Sequence, residues 1–237
     1  MALSSAATCS RLADSDQVLG IVAQFPSGRY SYTPHGRLRT RMSESERREW
    51  DRRYQTGEYR PRTLPSPFLE QWLERLPTGR ALDVACGTGR NALRLAEAGY
   101  LVDAIDISQA AIDKARIDGE RRGVTVAWQV VDLDDARLEA AAYEVITVIR
   151  YVNRKLWSRL IEALSPHGWL LIEHHLQTTA EVGGPSSPEF RLAPQELLQA
   201  FHGLRIVHYE EVLETAQGEE RSFALARLVA CKGDAGW

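Results

Sequence analysis

Three carboxylates and a pair of glycines stand at spacings suited to holding a nucleoside-bearing ligand. Asp83 lies in Ala81-Leu82-Asp83-Val84-Ala85-Cys86-Gly87-Thr88-Gly89, Asp106 closes Val102-Asp103-Ala104-Ile105-Asp106, and Asp132 follows Gln129-Val130-Val131. Without side chains, Gly87 and Gly89 let the backbone turn tightly and come within van der Waals reach of a ligand. Asp106, at the end of an apolar run, is placed to accept both hydroxyls of a ribose, each charge-assisted bond contributing about 1.5–3 kcal/mol. Asp132 is placed to accept from the amino group of an adenine ring while Leu133 packs on its face.

Two classes of cofactor use such glycines. Gly87-Thr88-Gly89-Arg90-Asn91-Ala92 fits the G-x-G-x-x-A dinucleotide pattern, so a nicotinamide-dependent oxidoreductase is one reading. A pyrophosphate on a helix N-terminus would be repelled by Asp83, whereas the cationic aminoacyl end of S-adenosylmethionine would be attracted. An acid at position 106 serves either cofactor. A protein that keeps the pocket without turnover is a third reading.

The acceptor side falls after the fourth and fifth strands. Arg150 and Arg154, in Ile149-Arg150-Tyr151-Val152-Asn153-Arg154, each present a planar fork that suits an oxyanion, or else serve as surface charges beside a helix start. Glu173, His174 and His175 follow the fifth apolar run, where alternation turns at least one toward the cleft and a histidine would take a proton near neutral pH. Arg150, His174 and His175 are the candidate catalytic residues. Adjacent histidines on an extended strand do not readily share a metal, so no metal site is expected. Cys86 has no histidine beside it and reads as a packing residue.

Positioning these groups requires an alternation of strands and helices. Strands are expected at 81–85, 101–106, 125–131, 145–149, 168–173, 204–209 and 222–231. Helices are expected at 68–76, 91–98, 108–122, 157–164 and 194–201, with a shorter one opened by a capping box of Ser43 and Glu46. The βαβα rhythm implies a doubly wound α/β fold, its seven-stranded sheet mostly parallel and ending in an antiparallel hairpin. The Gly-, Pro- and Ser-rich stretch 177–193 is a long loop of the functional kind. Residues 1–41, with five arginines, many serines and no sustained periodicity, read as a poorly ordered extension ahead of one domain over 42–237.

With 237 residues, 44% hydrophobic, the chain is long enough for a full core. A net charge of -3 creates no general field for a nucleic-acid backbone, so the expected partner is a small molecule. No apolar run approaches the roughly 20 residues needed to span a bilayer, so no membrane is expected. Three widely spaced cysteines fit a reducing, cytoplasmic setting.

The segments ALDVACGTGR, VDAIDIS and QVVDL resemble, in order and spacing, the motifs of class I S-adenosylmethionine-dependent methyltransferases, over roughly Arg80 to Cys231. Trp50-Asp51-Arg52-Arg53-Tyr54 with Gly57-Glu58-Tyr59 is similar to the opening of the tellurite-resistance and thiopurine types that act on small molecules. The resemblance implies a Rossmann-like methyltransferase fold, with Asp83, Ala85, Gly87, Gly89, Asp106, Ile107, Asp132 and Leu133 holding the cofactor. It also implies a small acceptor, anionic or chalcogen-containing, and a covering role for Trp50, Tyr54 and Tyr59; the alternative is that these aromatics simply pack on the sheet. The chain lacks the Asn/Asp-Pro-Pro-Tyr segment of amino-methylating relatives after its fourth strand.

Overall fold

The computed structural model describes residues 39–215 and 221–236, with side chains from residue 44 onward. The extension expected over 1–41 therefore lies outside the described residues, except that residues 39–41 open the first helix.

The strands are β1 (Arg80–Val84), β2 (Leu101–Asp106), β3 (Val126–Val130), β4 (Tyr143–Ile149), β5 (Leu164–His175), β6 (Arg205–Thr215) and β7 (Ser222–Cys231). They form one sheet in the order β3-β2-β1-β4-β5-β7-β6. Neighbours among β1 to β5 are parallel, while β7 runs antiparallel to both β5 and β6. The last two strands thus form the expected hairpin, with β7 inserted against β5 and β6 at the sheet edge. The order reverses on either side of β1, so the place for a ligand crevice is outside the carboxyl ends of β1 and β4, where the connections leave in opposite directions.

The helices are α1 (Arg39–Thr56), α2 (Pro67–Trp72), α3 (Arg90–Glu97), α4 (Gln109–Arg122), α5 (Trp157–Ala163) and α6 (Glu196–Ala200). Helices cover both faces of the sheet because its central strands are apolar on both. Leu82 and Val84 face a core with Ile146, Leu170, Phe201 and Leu228. Ala81 faces the opposite core, with Phe68, Trp72, Val145, Leu171 and Val229. Ser108 caps α4 by accepting from the Ala111 amide at 3.1 Å, and Gly123 ends that helix in the left-handed region.

Four local expectations give way. Ser43 lies inside α1, which is already helical at Arg39, so it is not an N-cap. β5 begins at Leu164 rather than 168, because Leu164 pairs with Tyr143 across an irregularity and the strand absorbs Pro166 and the left-handed His167. That strand also runs to His175, so His174 and His175 end β5 instead of following it. β6 extends to Thr215, its charged second half, Glu210 to Thr215, paired with Arg227 to Ser222 of β7.

Candidate active site

The turn after β1 places three left-handed residues within five: Ala85 at φ 54°, Gly87 at 55° and Gly89 at 82°. For Ala85 this conformation costs roughly 1–2 kcal/mol, which the surrounding hydrogen bonds offset. The Cys86 amide donates to the Ile105 carbonyl at 3.1 Å and the Gly89 amide to the Cys86 carbonyl at 2.9 Å. A Cβ at Gly89 would stand 2.5 Å from the Trp128 ring, and one at Gly87 would stand 2.8 Å from the Tyr54 hydroxyl. Glycine is required at both places by space as well as by conformation.

Asp83 is buried beneath this turn. Its carboxylate accepts from the Thr147 hydroxyl at 2.7 Å and from the Ala92 amide of α3 at 3.1 Å. Burial pushes its pKa up to about 7, against the lowering effect of those two bonds. Near neutral pH the carboxyl therefore carries only part of a charge, and its visible work is to tie β1, β4 and α3 around the turn. The charge-based discrimination between cofactors expected of Asp83 is correspondingly weaker.

Asp106 closes β2 beside the turn. It accepts from the Gly87 amide at 2.8 Å and the Ser108 amide at 2.9 Å, which fix the carboxylate at the strand end, while burial raises its pKa. Asp132 lies two residues beyond β3, half-buried, and accepts from the Asp134 amide at 3.0 Å. Leu133 packs into the core with Leu82 and Ile105. Ile107, Val130 and Asp132 line a cavity of about 100 Å³, which Glu44 and Arg47 of α1 complete.

The helix α1 covers this ground. Asp51 accepts from the Ser108 hydroxyl at 2.7 Å and the Ala110 amide at 3.0 Å, and Lys114 of α4 donates to the Tyr54 carbonyl. Trp50, Tyr54 and Tyr59 form a triangle with ring centroids 5.3–6.0 Å apart. Tyr54 is buried with its hydroxyl above Gly87, and it belongs to neither face's core. Tyr54 thus stands over the turn, with Trp50 and Tyr59 in ring contact with it.

On the other side of the crevice, Arg150 leaves β4 at φ 65° and its amide donates to the Glu173 carbonyl at 2.7 Å. Its guanidinium pairs with Glu173 at 3.1 Å and lies 3.3 and 3.4 Å from the two ring nitrogens of His175. Glu173 also accepts from Arg227 at 2.7 Å, and Arg227 takes Glu210 and Glu214 as further partners. Arg154 is not turned to the crevice: it pairs with Glu196 and donates to the carbonyls of Glu189 and Arg191. The clamp expected of Arg154 is instead a strut beneath the loop 177–193.

Burial pushes His174 down to about 4 and His175 to about 3, with Arg150 adding to both shifts. Neither imidazole titrates near neutral pH, contrary to expectation. The Phe190 carbonyl can only accept, so His174 Nε2 carries the proton at 2.8 Å from it, leaving Nδ1 a buried lone pair without a partner. Arg191 holds the loop by donating to the carbonyls of Pro185, Leu176 and Gly183 at 2.7–3.0 Å.

Several contributors escape a reading of the sequence. Arg62 and Arg150 each stand over the Phe223 ring, their guanidinium carbons 5.2 and 5.6 Å from its centroid. Arg90 donates to the Leu64 carbonyl at 3.0 Å, beside the same connection that carries Arg62. Arg90 alone carried a signal, since it directly follows Gly89. Among the described residues, no three His, Cys, Asp or Glu side chains converge as a metal set. No described helix is long and apolar enough to cross a membrane.

Residues 81–168 match the family described as "Methyltransferase domain". A ubiquinone biosynthesis O-methyltransferase of Bordetella avium is 30% identical over 111 residues, 45% of each chain. The corresponding protein of Thiobacillus denitrificans is 27% identical over 139 residues, 55% of this chain and 59% of its own. This chain thus spans about half the length of these curated relatives. In fold it is similar to TehB from Haemophilus influenzae, at a TM-score of 0.62 and 21% identity over 76% of this chain and 66% of that one. It is also similar to geranyl diphosphate C-methyltransferase from Streptomyces coelicolor, solved with S-adenosyl-L-homocysteine, at 0.61 and 15% identity over 83% of this chain and all of the other (100%).

Proposed function

We propose, from the match of residues 81–168 to the methyltransferase-domain family, that this chain moves a methyl group from S-adenosylmethionine to a small-molecule acceptor. The carrying observation is the left-handed turn at 85–89 with the Asp106 carboxylate fixed beside it, at the point where strand order reverses.

The residues present fit the cofactor. The Asp106 carboxylate, held by two amides, has lone pairs left for ribose hydroxyls. Ile107 and Val130 offer apolar walls for an adenine in the cavity that Asp132 also lines, with Leu133 supporting that wall from the core. The backbone of Ala85, Gly87 and Gly89 receives the aminoacyl end, braced from below by Asp83. When bound, the cofactor supplies an electrophilic methyl on a sulfonium.

The chain's own part is alignment and exclusion of water. Trp50, Tyr54 and Tyr59 roof the site, and displacement at a sulfonium methyl gains most from orientation in a dry crevice. Arg150, His174 and His175 border the acceptor's place. With pKa values of about 4 and 3 the histidines are weak bases, so their proposed role is to accept a hydrogen bond in neutral form. A cytoplasmic setting and a small acceptor complete the reading, supported by the free Cys86 and Cys231.

Calorimetric titration with S-adenosylhomocysteine and with NADH tests it. Micromolar binding of the first and none of the second is expected, with Asp106→Ala weakening the first by about ten-fold or more. Saturation by NADH alone would move the chain to the oxidoreductases.

A further inference from the structure

One stripe of helix α1 serves the nucleoside side of the sheet. Glu44, Arg47, Asp51 and Tyr54 recur at intervals of three and four residues, so they share a face of the helix. The later half of the stripe is fastened: Asp51 accepts from Ser108 and Ala110, and Tyr54 is buried with its hydroxyl above Gly87. The earlier half borders a gap. Glu44 and Arg47 share with Ile107, Val130 and Asp132 the lining of the cavity of about 100 Å³, which has room for more than a water molecule. Ile107 directly follows β2 and Val130 ends β3, so this half of α1 and two strand ends meet around the cavity.

Packing of the chain against itself does not account for this placement. Residues 44–49 read Glu-Ser-Glu-Arg-Arg-Glu, with no apolar side chain to bury, although helices owe most of their stability to an apolar face. Partial burial, and then the charges of Asp134 and Asp132, raise the pKa of Glu46, with Lys155 opposing them, so the contact sets acid against acid. Glu44 pairs with Arg48 at 3.1 Å, and Glu49 with Arg52 and Arg53 at 2.9 and 2.7 Å. Among the described residues no carboxylate pairs with Arg47. A planar guanidinium in the wall of a cavity that also holds two apolar side chains suits a flat aromatic ligand.

Resting on the methyltransferase reading above, we propose that Arg47 is a specificity-determining residue for the cofactor, its guanidinium stacking on one face of the adenine while Ile107 and Val130 pack on the other. The base supplies the packing that residues 44–49 lack, so the first half of α1 docks on the nucleoside. Recognition of the cofactor thereby extends to a helix that lies ahead of the matched residues 81–168. A ligand with the amino-acid end but no base gains nothing from Arg47.

The test uses the full chain titrated with S-adenosylhomocysteine and with 5′-methylthioadenosine, which keeps the base and lacks the amino-acid end. Arg47→Gln is expected to weaken both by about five-fold or more, and by like factors. Arg47→Lys, which keeps the charge but not the plane, is expected to recover less than half of that loss. Arg47 is exposed, so both variants keep the fold, and matching unfolding midpoints without ligand check this. Amide exchange over residues 44–49 is expected to slow when S-adenosylhomocysteine binds the wild type. Unchanged affinities in Arg47→Gln overturn the proposal, as does exchange over 44–49 that the ligand leaves as it was. A loss confined to S-adenosylhomocysteine would assign Arg47 to the cofactor's carboxylate, and recovery of half or more by Arg47→Lys would assign it to charge alone; either overturns the proposal too. Failure of the wild type to bind S-adenosylhomocysteine is a separate result, and it sinks the methyltransferase reading itself.

Discussion

At Asp83, burial and hydrogen bonding pull in opposite directions, and burial wins by enough to bring the pKa to about 7 from 3.8. The unfolded chain releases this proton near pH 4 while the folded chain keeps it, so this group lowers stability as pH rises from about 4 to 7 and by a constant amount above. Asp83→Asn keeps one acceptor for the Ala92 amide or the Thr147 hydroxyl and removes the titration. The ligand-free variant should match the wild type at pH 4 and unfold at a higher temperature at pH 8, by circular dichroism. A variant that gains nothing at pH 8 would show the carboxylate to be fully compensated. The spacing of Asp83, Asp106 and Asp132 was legible because each lies at or near the end of a strand, and strand ends are legible. The environment of each acid was not, since it depends on partners such as Thr147, 64 residues away from Asp83. The same blindness explains the histidines: their place near the end of β5 could be read, their desolvation could not.

Elements were legible to the extent that their residues repeat one pattern. β2 and β7 have the bounds that apolar runs predict, and α4 starts and stops on Ser108 and Gly123. β6 did not, because Glu210, Glu211 and Glu214 read as loop until Arg227 on β7 is seen to gather two of them. The loop 177–193 belongs to the same lesson. It has little regular structure, yet it is fixed by Arg191 and by two close approaches of glycine to rings. A Cβ at Gly184, where φ is 101°, would stand 2.5 Å from His175. Gly184→Ala should cost about 1–3 kcal/mol, seen as a lower urea midpoint at unchanged slope. Its affinity for S-adenosylhomocysteine should stay as in the wild type, because the collision falls on the acceptor side. Equal midpoints would mean that the loop yields freely and does not hold His175.

Across the whole molecule, the sheet divides its labour at β1. The β2 and β3 side carries the groups assigned to the nucleoside, and the β4, β5 and β7 side carries the arginines. The roof is attached to the first side through Asp51 of α1, which accepts from Ser108 and Ala110 at the start of α4, and through Tyr54 above Gly87. An acceptor approaching from the second side is expected to leave it in place, whereas entry and exit of the nucleoside are expected to require that Asp51 let go. The two ligands therefore keep different timetables. The nucleoside is expected to enter first and leave last, with its exit the slow event in each cycle. Rapid mixing should show a burst of methylated product of about one per chain, followed by a slower steady rate. Asp51→Ala, which removes a cap of about 1 kcal/mol, should erase that burst by hastening departure, and should raise steady turnover while weakening the hold on S-adenosylhomocysteine. A wild type without a burst would make methyl transfer, and not the unfastening of α1, the clock of this protein.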